Sequence, residues 1–294
     1  MTQVLLVGGT GFIGRRCAAM LAAQGVTARI LDLPSGLARM DQPSAFELVE
    51  GDVTDPESIS RASEDCDGII HLAGIMTLDC ARNPVKALDL NIKGSPNVFE
   101  AARQRSIPVA YLSSAGVFGP SSAVHPEPLT LYGVTKLAVE CIARVYAADH
   151  GVPSLGLRPY VVYGPGESSG IAAGPSIAIA ASLRREPATI RFSGRVGFVH
   201  VDDVARLLAA ATTRPMHGAT VLTMSGDTRD MAEFTSALEQ RTGWSRISVE
   251  GPPLRIPAEL ASDPVPAWLG EHRATTIEAG IDASISALTA PVEA

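Results

Sequence analysis

The sequence predicts an α/β fold: a doubly wound parallel sheet followed by a smaller α/β C-terminal lobe. Three observations predict it. Short apolar runs alternate with stretches of helical period through the first half, a glycine-rich turn follows the first run directly, and from about Tyr160 the texture becomes rich in Gly and Pro. Alternating strands and helices are what a parallel sheet needs, because each parallel neighbour is reached by a crossover that covers one face.

The elements follow in order. Candidate strands are Val4–Val7, Ala28–Leu31, Phe46–Val49, Gly68–His71, Val109–Leu112 and Leu155–Leu157, and between them lie candidate helices Phe12–Gln24, Pro56–Ser63, Pro84–Arg103 and Tyr132–Asp149. Beyond Tyr160, Gly164-Pro-Gly166 and Gly251-Pro-Pro253 separate shorter helical patterns at Asp203–Thr212, Met231–Thr242 and Thr275–Leu288. This divides the chain into a cofactor-binding domain over residues 1–160 and a substrate-binding lobe over 161–294, with the segment near 198–215 returning to the first domain.

Composition narrows the function. The 294 residues hold 31 acidic and 24 basic side chains, a formal charge of −7, so no basic footprint exists for nucleic acid. Cys17, Cys66, Cys80 and Cys141 are scattered without metal-ligand spacing, so no metal site and no disulfide framework is expected. The apolar start lacks a basic leader and a cleavage site, and no charge-free run is long enough to span a bilayer. A soluble, cytoplasmic protein without a membrane or nucleic-acid partner is the expectation.

Gly8-Gly-Thr-Gly11-Phe12-Ile13-Gly14 follows the first strand and opens the first helix. Glycines there allow a tight turn and let backbone approach a pyrophosphate, whose charge is met by the free N–H groups at the helix start. Asp32 ends the second strand, where a carboxylate accepts both adenosine ribose hydroxyls and repels a 2′-phosphate. NAD is therefore expected over NADP, with Arg39 the nearby residue that would favour the phosphate. After the third strand, Asp52 and Val53 are placed against the adenine, with Thr54 or Asp55 better suited to cap the next helix. Leu72, Ala73 and Gly74 end the fourth strand with mostly small residues that let backbone lie against the cofactor, while His71 reads as structural.

The strongest chemical signal is Tyr132-Gly-Val-Thr-Lys136, which sets an ammonium beside a phenol on one helix face. At about 6 Å and an effective dielectric near 20, the pair attracts by roughly 3 kcal/mol, about two pKa units, and moves the phenol towards neutrality. Tyr132 then suits general base catalysis on a hydroxyl whose carbon gives up hydride. Ser113 and Ser114 end the preceding strand, at the carboxyl edge where open α/β sheets place their ligands. Alternation points them to opposite sides, and Ser114 is taken as the partner of the reacting oxygen.

With these residues in this order the chain resembles the extended short-chain dehydrogenases/reductases, the NAD-dependent epimerase/dehydratase family, over roughly Val4 to Ala205. The resemblance includes Leu90-Asn-Ile-Lys-Gly94, Leu157-Arg-Pro-Tyr-Val-Val-Tyr-Gly-Pro-Gly166 and Phe198-Val-His-Val-Asp-Asp-Val-Ala205. It implies a Rossmann sheet, Tyr132 as acid/base, Lys136 also holding the nicotinamide ribose, and Ser114 orienting the substrate oxygen. It further implies Asn91, Pro159, Val161 and Val162 at the cofactor, Ala115, Tyr160 and Arg195 at the substrate, and homodimers pairing the helices at 84–103 and 132–149.

Departures from the family pattern bear on the substrate. Members acting on nucleotide sugars often carry an Arg-Asp pair directly before the Phe-Val-His segment, where this chain has Val196 and Gly197, and the late Arg-Pro-x-Asp element is absent. The first reading is accordingly an NAD-dependent oxidoreductase acting on a small polyhydroxylated, sugar-like substrate. The alternatives are a nucleotide-sugar 4-epimerase with tightly bound NAD and a non-catalytic NAD(P)-binding sensor.

Overall fold

The computed structural model describes residues 2–40 and 46–290. Its first half runs β1 (Gln3–Val7), α1 (Phe12–Ala23), β2 (Thr27–Asp32), α2 (Pro34–Leu37), β3 (Glu47–Glu50), α3 (Pro56–Ala62), β4 (Gly68–His71), α4 (Thr77–Arg82), α5 (Pro84–Ala87), α6 (Gly94–Arg105), β5 (Val109–Leu112) and α7 (Leu131–His150). There follow β6 (Ser154–Pro159), β7 (Val161–Tyr163), α8 (Gly174–Leu183), β8 (Ala188–Ile190), β9 (Arg195–His200), α9 (Val201–Thr213), β10 (Ala219–Met224), β11 (Asp227–Asp230), α10 (Met231–Thr242), β12 (Ile247–Val249) and α11 (Ile277–Thr289).

Seven strands form one parallel sheet in the order β10-β6-β5-β4-β1-β2-β3. The chain starts in the middle, winds outward through β2 and β3, and returns on the other side at β4. The crevice between the carboxyl ends of β1 and β4 is therefore the switch point where such sheets bind ligands. Burial explains the apolar runs. In β1, Val4 and Leu6 join a core with Cys17 and Leu21 of α1 and Val204 and Leu208 of α9, while Leu5 and Val7 join a second core with Ile59, Val98, Phe99 and Val139. Consecutive residues serve opposite faces, and both faces are covered by helices.

Two local features depart from the sequence reading. The helix expected over Pro84–Arg103 is α5 and α6 joined by a π-helical stretch at Leu88–Lys93, which turns Asn91 inward. The segment expected to return near 198–215 begins its return at α9, which packs against α1, and continues through β10, whose register with β6 runs from Ala219–Ser154 to Met224–Pro159. Residues 195–200 stay in a smaller sheet as β9, parallel to β7 and antiparallel to β11. An aromatic cluster holds that sheet to α10: Phe198 stacks on Phe234 at 4.9 Å, and Tyr163 meets both edge-on. Among the described residues, no helix is long and apolar enough to cross a membrane.

Candidate active site

The glycine turn between β1 and α1 is specified at each glycine for a different reason. Gly8 has φ +80°, and a Cβ there would lie 2.6 Å from the Ala73 nitrogen, so it serves the turn and the approach of the segment that follows β4. A Cβ at Gly14 would lie 2.5 Å from the Gly9 carbonyl, which makes Gly14 the contact between helix and turn. At Gly11 a Cβ would meet only the Gly8 carbonyl, at 3.6 Å, leaving open space above the turn. There α1 begins at Phe12 without a side-chain cap and without an acidic residue in its first turn, whereas α3, α7, α10 and α11 are capped by Asp55, Thr130, Asp230 and Thr276. An open glycine below an uncapped helix start fits a dinucleotide pyrophosphate.

Asp32 closes this turn with its side chain. Its carboxylate accepts from the Thr10 amide at 3.1 Å, the Thr10 hydroxyl at 2.6 Å and the Leu33 amide at 2.8 Å. Gly36 lies against the same pair, since a Cβ there would come within 2.6 Å of the Thr10 hydroxyl. Arg15 donates to the carbonyls of Thr10 at 2.8 Å and Arg39 at 2.6 Å, so Arg39 is held to the turn through its main chain.

Asp52 and Asn91 are engaged within the protein. The Asp52 carboxylate takes the amide and hydroxyl of Thr54, each at 2.9 Å, and Asp55 caps α3. Val53 packs against Gly94. The Asn91 amide group clasps both main-chain groups of Ile75, at 2.8 and 3.0 Å, and donates to Thr135 at 3.1 Å. It thereby holds the segment after Leu72, Ala73 and Gly74 rather than presenting a free amide to a ligand.

At the end of β5 the two serines divide as alternation requires. Ser113 is buried and donates to Glu140, whereas Ser114 lies at the edge beside the Tyr132 phenol and accepts from the Gly116 amide at 3.0 Å. Thr130 caps α7, and Gly133 permits the close approach of its first turn to the Gly116 carbonyl. The Lys136 amine donates to the Leu112 carbonyl at 2.9 Å and lies 5.6 Å from the centre of the Tyr132 ring. Ala115, behind Ser114, is buried.

The electrostatics correct one expectation. Burial pushes the Tyr132 phenol up to about 12, the Ser114 hydrogen bond opposing it, and burial pushes the Lys136 amine down to about 8. The anticipated depression of the phenol is thus outweighed by desolvation: Lys136 gives one N–H to a main-chain carbonyl and is itself poorly solvated. His71 is pushed down to about 3 by burial and by Lys136, and its Nε2 pairs with the Ser95 hydroxyl at 3.0 Å.

Pro159, Val161 and Val162 leave the sheet beside this edge, Val161 buried and Val162 half-buried. Two residues assigned to substrate are occupied elsewhere. The Tyr160 hydroxyl donates to the Ile256 carbonyl at 3.1 Å, and Arg195 pairs with Glu259 at 3.0 Å on the exposed rim. Both tie β-structure to the loop at 256–259, a long-range pairing that spacing cannot reveal. Sequence reasoning also missed Thr10, Gly36 and Glu140, although Gly36, four residues past Asp32, was a visible signal. A cleft of about 770 Å³ lined by Leu207, Met224, Asp263 and His272 lies on the α9 side of β10 and contains none of the residues of the Tyr132 site.

A family model described as the NAD dependent epimerase/dehydratase family matches residues 4–222. UDP-glucose 4-epimerase of Thermus thermophilus, solved in complex with NAD, is 25% identical with a TM-score of 0.81, covering 99% of this chain and 100% of that one. MoeE5, solved with UDP-glucuronic acid and NAD, is 27% identical with a TM-score of 0.80, covering 97% and 98%. An uncharacterized epimerase/dehydratase of Staphylococcus aureus (strain MRSA252) is 29% identical over 171 residues, 54% of this chain and 52% of the relative. The chain spans about half the length of the curated relatives it matches.

Proposed function

The chain belongs to the NAD dependent epimerase/dehydratase family, and within it we propose an NAD-dependent oxidoreductase that removes hydride from a hydroxyl-bearing carbon of a small polyhydroxylated substrate without a nucleotide handle. NAD, bound along Gly8, Gly11, Phe12, Ile13 and Gly14 with its ribose at Asp32, supplies the hydride acceptor. Its nicotinamide end would lie by Pro159, Val161 and Val162, the cofactor resting on residues 1–160 with α9 and β10, the substrate on the remainder.

The residues of this chain handle the proton. Ser114 donates to the substrate oxygen, and Tyr132 exchanges the hydroxyl proton with it. A phenol pushed up to about 12 is protonated at neutral pH, so the proton needed in the direction of reduction is in place. For oxidation, the two groups of this chain that favour its ionised form are the Ser114 hydroxyl and the Lys136 ammonium.

Positions 196 and 197 carry the assignment of substrate class. Val196 is fully buried, and a Cβ at Gly197 would run into the Ser225 carbonyl, so the Arg-Asp pair often found before the Phe-Val-His segment cannot stand here without rebuilding β9. A charged clamp for a diphosphate is replaced by core packing. The second reading, a nucleotide-sugar 4-epimerase, is favoured by the likeness to UDP-glucose 4-epimerase over nearly the whole chain.

A homodimer pairing the segments at 84–103 and 132–149 also belongs to this reading, supported by the exposure of Val85, Leu88, Val134 and Val145 on them. Four unpaired cysteines fit a reducing, cytoplasmic setting.

The experiment is a cofactor-reduction screen with NAD and NADP against free polyols, sugars, sugar acids and nucleotide sugars. Steady NADH formation with a free polyol is the expected result. Isomer formation from a nucleotide sugar with no net reduction would replace it with the epimerase.

A further inference from the structure

Helix α7 engages the end of β5 at three successive turns. Tyr132 meets the Ser114 hydroxyl, Lys136 donates to the Leu112 carbonyl at 2.9 Å, and Glu140 accepts the Ser113 hydroxyl. Residues at i, i+4 and i+8 form one stripe of a helix, so the last residue of β5 and the two that follow it are engaged by one helix face. The third contact carries a charge. Glu140 is 7% exposed, and its carboxylate also takes Arg158 of β6 in a two-pronged pair, with Arg158 Nε at 2.7 Å from one oxygen. The Arg158 guanidinium in turn lies 5.2 Å from the centre of the Phe118 ring.

An apolar pair of similar volume at 140 and 158 would hold α7 on the sheet about as firmly, because desolvating two charges offsets much of their attraction. What an apolar pair lacks is direction. The bonds from Ser113 and Arg158 set the position of α7 along the strands, whereas apolar contact tolerates sliding.

We propose that Glu140 is a positioning residue that locks α7 in register with β5 and β6 so that the Tyr132 phenol stands opposite the Ser114 hydroxyl. This rests on the reading of Tyr132 and Ser114 as the reacting groups, but its geometry can be tested without a substrate.

The five tyrosines are replaced by 3-fluorotyrosine, and the fluorine signal of Tyr132 is assigned from Tyr132→Phe. Ser114→Ala marks the position of that signal when the phenol loses its partner. In Glu140→Met with Arg158→Met, which removes the pair without leaving a lone charge, the Tyr132 signal is expected to move towards the Ser114→Ala position while thermal stability is kept. With the substrate found by the reduction screen, kcat falls about a hundredfold while the NAD dissociation constant changes by less than about twofold. A Tyr132 signal unmoved in the folded double variant, or an unchanged kcat, overturns the proposal. If the double variant does not fold, Ser113→Ala, which leaves both charges in place, is read by the same two criteria. Should Tyr132→Phe retain turnover, the proposed function fails, and the fluorine spectrum still decides the register.

Discussion

The two ends of the site are built from different materials. At the turn between β1 and α1, the proposed cofactor end is shaped mainly by backbone: glycines that permit close approach and an uncapped helix start, with Asp32 bonded to Thr10 and Leu33. At the end of β5 the proposed reacting groups are side chains, Ser114 with Tyr132 and Lys136 of a capped helix, all half-buried and the proton affinities of Tyr132 and Lys136 shifted by desolvation. The difference teaches that the first end depends on shape and fails when atoms are added, while the second depends on protons and fails when atoms are removed.

Substitutions can break that contrast. The largest effect is expected from Tyr132→Phe, which should lower kcat by about a thousandfold while thermal unfolding and NAD titration stay as in the parent protein. Gly14→Ala places a methyl group against the Gly9 carbonyl and should cost roughly 3 kcal/mol of stability in denaturant unfolding. Gly11→Ala sharpens the comparison: it should keep the parent unfolding curve yet lose NAD binding by calorimetry, because its methyl group enters open space above the turn. Asp32→Ala should weaken NAD by about tenfold, close to 1.4 kcal/mol, and narrow the preference over NADP.

At neutral pH the smallest effect is that of His71, on the strand between the two ends. Its folded value of about 3 lies below the ordinary 6.5, so the unfolded chain takes up a proton that the native state refuses. The stability due to neutral His71 is complete above about pH 6.5 and is lost as the pH falls towards 3. Urea unfolding at a series of pH values should show a shallower decline over that window in His71→Asn than in the parent.

The backbone-built end was legible because its determinants are local. Gly8 to Gly14 and Asp32 state their own conformational needs, and Tyr132 and Lys136 share a helix face by spacing alone. What the sequence hides is tertiary. Strand β10 reads as part of the second lobe until its register with β6 is seen. The inward turn of Asn91 depends on a π-helical stretch that leaves no mark in hydrophobic period. The direction of the Tyr132 shift depends on how much water its neighbours exclude, which a distance estimate along one helix omits. Tyr160 and Arg195 were drawn to the substrate because their partners, Ile256 and Glu259, stand 96 and 64 residues away.

The register of β10 on β6 has a mechanical consequence. The chain leaves the large sheet at Pro159 and again at Met224, and these two residues are paired, with the Tyr160 amide donating to the Met224 carbonyl at 3.1 Å. The two exits are thus fastened side by side by a main-chain hydrogen bond, so a residue inserted into either one parts Pro159 from Met224 and breaks that bond.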